Sequence, residues 1–304
     1  MRVTEAQHIA CLINPNSGTV ASLGPATVLE EIRRQLPKAQ LSVHGDQGSF
    51  DEAIKGALAI QPDMLLTAGG DGTIRSVAQF TAERQIPLIP LPGGTMNVTP
   101  QRVFGKRTLM EALAGLSEAQ VRPLSAGRVG DQIFLAAAAI GPWVRLADIR
   151  ESIRCASRWG KLRSSASFLW RKAFQKSVRF RPEETPFTRW QKAEALALAF
   201  GSVEQVIGLS PETASLTCPI QGRNPLRAVS LKFQDWGCVV DFAANTLIGQ
   251  WQEARSVETF RVDTLKVVGG RYRITAMLDG EVLQLGKALT VREDDKGVPC
   301  VMLA

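Results

Sequence analysis

Residues 1–122 of this 304-residue chain predict a doubly wound α/β domain, and residues 123–288 predict an all-β domain of the sandwich type. Three observations carry that expectation. In the first part, short apolar runs alternate with stretches of helical periodicity, the pattern of a parallel sheet covered by helices. After about residue 121 the helical stretches give way to short apolar runs separated by turn residues. Three of the early runs end in loops rich in Gly, Asn, Ser and Thr.

The first run, Ile9-Ala10-Cys11-Leu12-Ile13, reads as a buried strand and is followed by a helical pattern at 27–36. A strand at 41–43, a helix at 51–60, a strand at Met64-Leu65-Leu66-Thr67-Ala68 and a helix at 74–84 come next. The run Pro87-Leu88-Ile89-Pro90-Leu91 supplies a further strand and 108–116 another helix. This is the order of a Rossmann-like domain. Beyond it the runs at 196–200, 228–231, 257–262, 265–268, 272–277 and 281–285 read as strands, punctuated by Gly237, Gly249, Gly269-Gly270 and Asp279-Gly280.

The loop Gly69-Gly70-Asp71-Gly72-Thr73 joins a strand to a helix, so it presents backbone N–H groups and a positive helix end, where phosphate commonly docks. Its glycines allow close approach, and Asp71 adds a carboxylate able to hold Mg²⁺ beside a polyphosphate. Asn14-Pro15-Asn16-Ser17-Gly18 and Pro92-Gly93-Gly94-Thr95-Met96-Asn97 end two other strands in the same manner. Each alone is equally a solvated turn. In an open parallel sheet, however, all three gather at the carboxyl ends of the strands, where ligands bind.

With these residues in view the chain resembles the diacylglycerol kinase catalytic family, which includes bacterial lipid kinases, sphingosine kinases and ceramide kinases. N-P-x-S-G at Asn14–Gly18, G-G-D-G-T at Gly69–Thr73 and P-x-G-T-x-N ending at Asn97 follow that family's order. Asp279-Gly280-Glu281 is similar to its late D-G-E element, although Asp-Gly is also a common hairpin turn. The chain departs from the family at Val98, where an Asp is common, and at Arg75-Ser76-Val77, where N-E-V is frequent.

The resemblance implies ATP-dependent phosphoryl transfer to the primary hydroxyl of a membrane lipid, either ceramide or another sphingoid lipid, or diacylglycerol. It implies that Asn14, Ser17, Gly18, Gly69, Gly70, Gly72, Thr73, Gly94, Thr95 and Asn97 bind nucleotide. Asp71 and Glu281 are the implied catalytic carboxylates, with Glu281 leading as general base, and Asp71 and Asp279 the implied Mg²⁺ partners; the two main roles are exchangeable. The last residues, about 289–304, would return to the first domain and leave the active site in the interdomain cleft. A catalytically silent regulator that binds nucleotide and membrane, and a soluble-substrate kinase such as an NAD kinase, are the alternatives.

Composition fits a globular enzyme: 45% hydrophobic and 21% charged residues leave room for two cores. No basic-then-apolar leader is evident, and the weakly polar stretch at 133–144 is shorter than the roughly 20 residues a membrane-spanning helix needs. Five cysteines without C-x-x-C spacing point to reduced thiols in a cytosol. With only His8 and His44, acid–base work falls to carboxylates.

Charge is concentrated. Residues 145–192 hold thirteen basic and four acidic residues, a net +9, whereas the whole chain is +7, so the remainder sums to −2. Four of the six tryptophans, Trp143, Trp159, Trp170 and Trp190, lie in or beside this segment. Apolar positions at helical spacing with arginines between them predict a basic aromatic helical insertion at about 145–192. It would be attracted to anionic lipid, placing the protein in the cytoplasm at the inner face of the membrane. A solvated basic face remains the plain alternative. Nucleic acid, which also favours basic and aromatic residues, is not expected as a partner.

Overall fold

The computed structural model describes residues 2–44, 49–141, 144, 177–183, 189–200, 225–233, 235–247, 250–271 and 273–303. They form two compact units. The first comprises Met1–Ala126 and Asp294–Ala304, and the second is drawn from residues 127–293.

In the first unit the order is β1 (His8–Ile13), α1 (Gly18–Leu23), α2 (Pro25–Gln35), β2 (Gln40–His44), α3 (Phe50–Ala59), β3 (Met64–Gly69), α4 (Asp71–Arg84), β4 (Leu88–Pro92), α5 (Val98–Phe104), α6 (Leu109–Ala114) and β5 (Gln120–Leu124). The sheet runs β2-β1-β3-β4, then β18 (Val298–Met302), then β5. Strands β1 to β4 are mutually parallel, and β3 and β4 are buried along their whole length, as expected of a sheet covered on both faces.

Local chemistry sets the element ends. Ser49 and Glu52 form a reciprocal capping box on α3, and Thr108 and Glu111 another on α6. Pro25 opens α2, where a missing N–H costs nothing. Helix α4 buries Ile74, Val77, Ala78, Thr81 and Ala82, one stripe at helical spacing. Pro90 and Pro92 have no N–H to donate, and β4 pairs with β18 only at Leu88–Cys300.

The second unit contains β6 (Gly127–Val129), β7 (Gln132–Phe134), β8 (Ala137–Ile140), β9 (Val178–Pro182), β10 (Gln191–Ala193), β11 (Ala195–Phe200), β12 (Leu226–Leu231), α7 (Trp236–Leu247), β13 (Val257–Arg261), β14 (Thr264–Val268), β15 (Thr275–Leu278), β16 (Glu281–Gln284) and β17 (Ala288–Glu293). They make two six-stranded sheets, β10-β9-β14-β17-β6-β7 and β13-β12-β11-β8-β15-β16. One apolar core is shared by both: Val129, Phe180, Leu265 and Val291 come from the first, and Ile140, Leu198, Ala228 and Ala276 from the second. Phe134 on β7 stacks on Phe200 of β11 with ring centroids 5.6 Å apart. Gly127 makes room for that ring, because a Cβ there would stand 2.2 Å from it.

Three expectations need correction. The second unit is not purely β, since α7 follows β12. The segment at 145–192 is not helical throughout: Val178–Pro182 and Gln191–Ala193 are paired strands, because Val178, Phe180 and Ala193 alternate inward while arginine and lysine alternate outward. Residues 145–176, with most of the aromatic basic pattern, lie outside the described residues. Finally, Ala288–Glu293 stays in the second unit as β17, and the return to the first unit begins at Asp294.

Candidate functional site

Because β1, β3 and β4 are adjacent and parallel, their C-terminal loops meet, and hydrogen bonds lock them together. From the first loop, Asn14 N–H donates to Ala68 O at 2.9 Å, and the Asn14 side-chain amide donates to the Thr73 hydroxyl at 3.0 Å. Ser17 Oγ accepts the Gly70 N–H at 3.1 Å. From the third loop, Gly93 N–H donates to Gly69 O at 3.0 Å. Its own carbonyl accepts Thr19 N–H at 2.9 Å, and the Thr19 hydroxyl donates to Gly94 O at 3.2 Å.

The glycines serve this closeness. A Cβ on Gly94 would stand 2.6 Å from Gly70 Cα, and one on Gly93 would stand 2.6 Å from Gly69 N. Gly69 is closed to a side chain by Thr73, and Gly18 faces the Thr95 hydroxyl, 3.6 Å from where its Cβ would be. Asn97 holds a left-handed conformation (φ 50°) and brackets the third loop, accepting Gly94 N–H and donating to Gly94 O, both at 2.8 Å. Asp71 links the second loop to the third: Oδ1 accepts Thr99 N–H at 2.8 Å and Oδ2 accepts Val98 N–H at 3.1 Å. These are the first two amides of α5, so Asp71 supplies the cap that the Asn97 side chain does not. The first helical bond of α4 is Ile74 N–H to Gly70 O at 3.0 Å, so the amides of Asp71, Gly72 and Thr73 precede it at the positive helix end.

Every nucleotide-site residue expected in the first unit therefore falls in one cluster. Thr19 was not singled out by the sequence, although a Thr directly after Ser17-Gly18 at a helix start is a recognisable turn-and-cap pattern. The Val98 departure is accommodated because that position acts through its backbone N–H. Arg75, the other departure, is buried on α4 at 5% exposure, and Arg102 is equally buried on α5. Neither was expected inside.

Asp279 and Glu281 belong to the second unit. Asp279 (φ 47°) and Gly280 (φ 94°) form the two-residue turn of the β15–β16 hairpin, both in left-handed conformations. The Asp279 carboxylate accepts three backbone N–H groups, from Leu135 at 2.6 Å, Ala136 at 2.8 Å and Ala137 at 2.9 Å. Glu281 opens β16 opposite Leu278 with its side chain exposed. Among the described residues no three His, Cys, Asp or Glu side chains gather closely enough to hold a metal ion by themselves. No described helix is long and apolar enough to cross a membrane.

Residues 8–129 match the diacylglycerol kinase catalytic domain. This part of the chain is therefore similar to the catalytic domain of the diacylglycerol kinase family. Two curated relatives from Pseudomonas fluorescens strains Pf0-1 and Pf-5, each named "Probable lipid kinase YegS-like", are 32% identical over 109 residues and 33% identical over 98. Those matches cover 35% and 32% of this chain, and the chain spans only about a third of the relatives' length, 35% and 32% respectively. Among solved structures, a diacylglycerol kinase from Bacillus anthracis strain Sterne shares the fold at TM-score 0.65 and 15% identity, over 98% of both chains. Yeast NADH kinase in complex with NADH shares it less closely, at TM-score 0.52 and 12% identity, over 98% of this chain and 84% of that one. The segment that matches this family model contains all three interlocked loops.

Proposed function

We propose that the chain is an ATP-dependent kinase that phosphorylates the primary hydroxyl of a membrane lipid, a ceramide or other sphingoid lipid or a diacylglycerol. The observation that carries the reading is the welding of the three strand-end loops into one glycine-lined surface within the segment matching the diacylglycerol kinase catalytic domain. The amides of Asp71, Gly72 and Thr73, which precede the first helical bond of α4 and are held in place by these loops, need no reorganisation to receive phosphate, and phosphoryl transfer depends mainly on such positioning.

The roles follow from the chemistry. Asn14, Ser17, Gly18, Gly69, Gly70, Gly72, Thr73, Gly94, Thr95 and Asn97 form the nucleotide surface; the amides of Gly70 and Gly94 are spent on Ser17 and Asn97, so these two glycines contribute close approach rather than donors. Mg²⁺ would neutralise phosphate charge, and it is usually held by one or two carboxylates together with the phosphates themselves. Asp71 fits that need, since each of its oxygens accepts one amide and keeps a lone pair. Asp279 fits poorly, with three amides on one carboxylate. Glu281, exposed at the start of β16, is assigned the proton of the acceptor hydroxyl. The enzyme works in the cytoplasm at the inner face of the membrane, drawn there by the basic segment 145–192, with anionic lipid rather than nucleic acid as its surface partner.

The test is phosphorylation by purified protein in mixed micelles with ATP and Mg²⁺, offering diacylglycerol, ceramide, sphingosine and NAD in parallel. Label on one lipid, abolished by Asp71→Asn and by Glu281→Gln, is the expected result. Label on NAD alone, or wild-type rates in both variants, overturns the reading.

A further inference from the structure

We propose that the outer face of strands β10, β9, β14 and β17 docks on an anionic lipid bilayer through Arg179, Arg181, Lys192, Lys266 and Arg292, with Trp190 seated among the headgroups. The inward face of this sheet is fixed by its core residues, including Val178, Phe180, Ala193, Leu265, Val267 and Val291. Alternation then sends the five cations outward. Register places them side by side: Lys192 stands opposite Arg179, Arg181 opposite Lys266, and Arg292 opposite Arg128.

Like charges directly opposite one another destabilise a sheet, so this face stores repulsion that a polyanionic surface relieves. Among the described residues, Glu183 pairs with Lys266. Arg179, Lys192 and Arg292 are exposed, and Lys266 is 45% exposed even with its partner.

The choice of a bilayer over another polyanion rests on the lipid-kinase reading and on Trp190. That indole is 44% exposed and lies beside the Arg181 guanidinium, 5.4 Å from it at the ring centroid. An indole with an apolar body and one N–H favours the headgroup layer, and cations around it favour a negative leaflet. The face differs from a single basic segment because β14 and β17, distant in sequence, contribute Lys266 and Arg292.

Co-sedimentation with vesicles of phosphatidylcholine, with and without phosphatidylserine, tests this in the absence of ATP. The wild-type chain is expected to sediment with the phosphatidylserine vesicles and to be released by salt. Arg179→Gln/Arg181→Gln/Lys192→Gln should lower partitioning about fivefold per cation, on the order of a hundredfold together. Arg179→Lys/Arg181→Lys/Lys192→Arg should keep it, and an unchanged thermal melt in both variants shows that the fold is intact. Equal binding to both vesicle types, wild-type binding by the glutamine variant, or preference for a single-stranded oligonucleotide over vesicles each overturns the proposal. A failure of the kinase reading alone would leave the sedimentation intact and show only as absence of phosphoryl transfer in micelles.

Discussion

The Ser17 hydroxyl oxygen accepts the Gly70 N–H at 3.1 Å, joining two loops that lie 53 residues apart in the chain. The bond explains why a Ser stands before Gly18: a side chain there has to reach a glycine amide on the neighbouring strand's loop. It also means that Gly70 is held from one side and approached from the other by Gly94. The cluster is a packed unit as well as the proposed binding surface, and the two roles can be separated by mutation.

Gly94→Ala and Gly93→Ala place a Cβ 2.6 Å from backbone atoms of Gly70 and Gly69, where nothing flexible can yield. Both should lose about 1–3 kcal/mol of stability. Gly70→Ala has only an ordinary contact, 3.7 Å from Gly94 Cα, so it should melt within a few degrees of wild type. If phosphate lies against the second loop, Gly70→Ala instead weakens binding of a non-hydrolysable ATP analogue. Thermal denaturation beside nucleotide titration separates the two outcomes, and equal destabilisation by all three variants would remove the packing argument.

Asp71 has a structural role of its own, apart from the one proposed for it in phosphoryl transfer. Asp71→Asn keeps one acceptor but sets an NH₂ group against the second α5 amide, so stability should fall by about 1–2 kcal/mol. Urea denaturation checks this independently of turnover. An unchanged midpoint would mean that the cap is dispensable and that any loss of activity is purely chemical.

What the sequence disclosed follows local signals. The apolar run at Ile9–Ile13, the stripe of α4 and the glycine loops are read directly, since burial on both faces and helical spacing leave continuous or periodic apolar residues. Helix α1 escaped because six residues with one buried position, Val20, carry no period. Strands β9 and β10 escaped because their outward arginines and lysine made a short two-residue alternation look like part of a basic helix. The D-G-E element shows the limit most clearly. Its hairpin was legible from Asp-Gly, but the three amides that hold Asp279 lie more than 140 residues away, at Leu135, Ala136 and Ala137, and no local pattern announces them.

Those amides give Asp279 and Glu281 opposite expectations. Asp279→Ala leaves three backbone donors without their charged acceptor, a loss on the order of 3 kcal/mol. Glu281→Gln, at an exposed edge position, should change stability by no more than about 0.5 kcal/mol while removing turnover. The Mg²⁺ concentration for half-maximal rate should be the same in Asp279→Asn as in wild type. A raised Mg²⁺ requirement in that variant would return Asp279 to the metal.

Acid should loosen the first unit at the start of β1. Asp63 Oδ2 accepts the N–H groups of His8 at 2.9 Å and Gln7 at 2.8 Å, and these backbone bonds, that of His8 foremost, hold its carboxyl below the ordinary range. A depressed folded value means that the unfolded chain binds the proton more readily. The stabilisation is therefore fully present above the unfolded carboxylate value, about 4, and is lost as pH falls through the lower folded value. Glu52 and Glu111 act in the same direction, each lowered chiefly by the backbone N–H of its capping partner, Ser49 and Thr108. Urea midpoints measured from neutral pH down through this window should fall steadily for wild type. Asp63→Asn keeps an acceptor for the amides but has no proton to bind, so its midpoint should fall less steeply over the same range. Parallel curves would show that Asp63 contributes nothing to the acid response and that the capping carboxylates carry it.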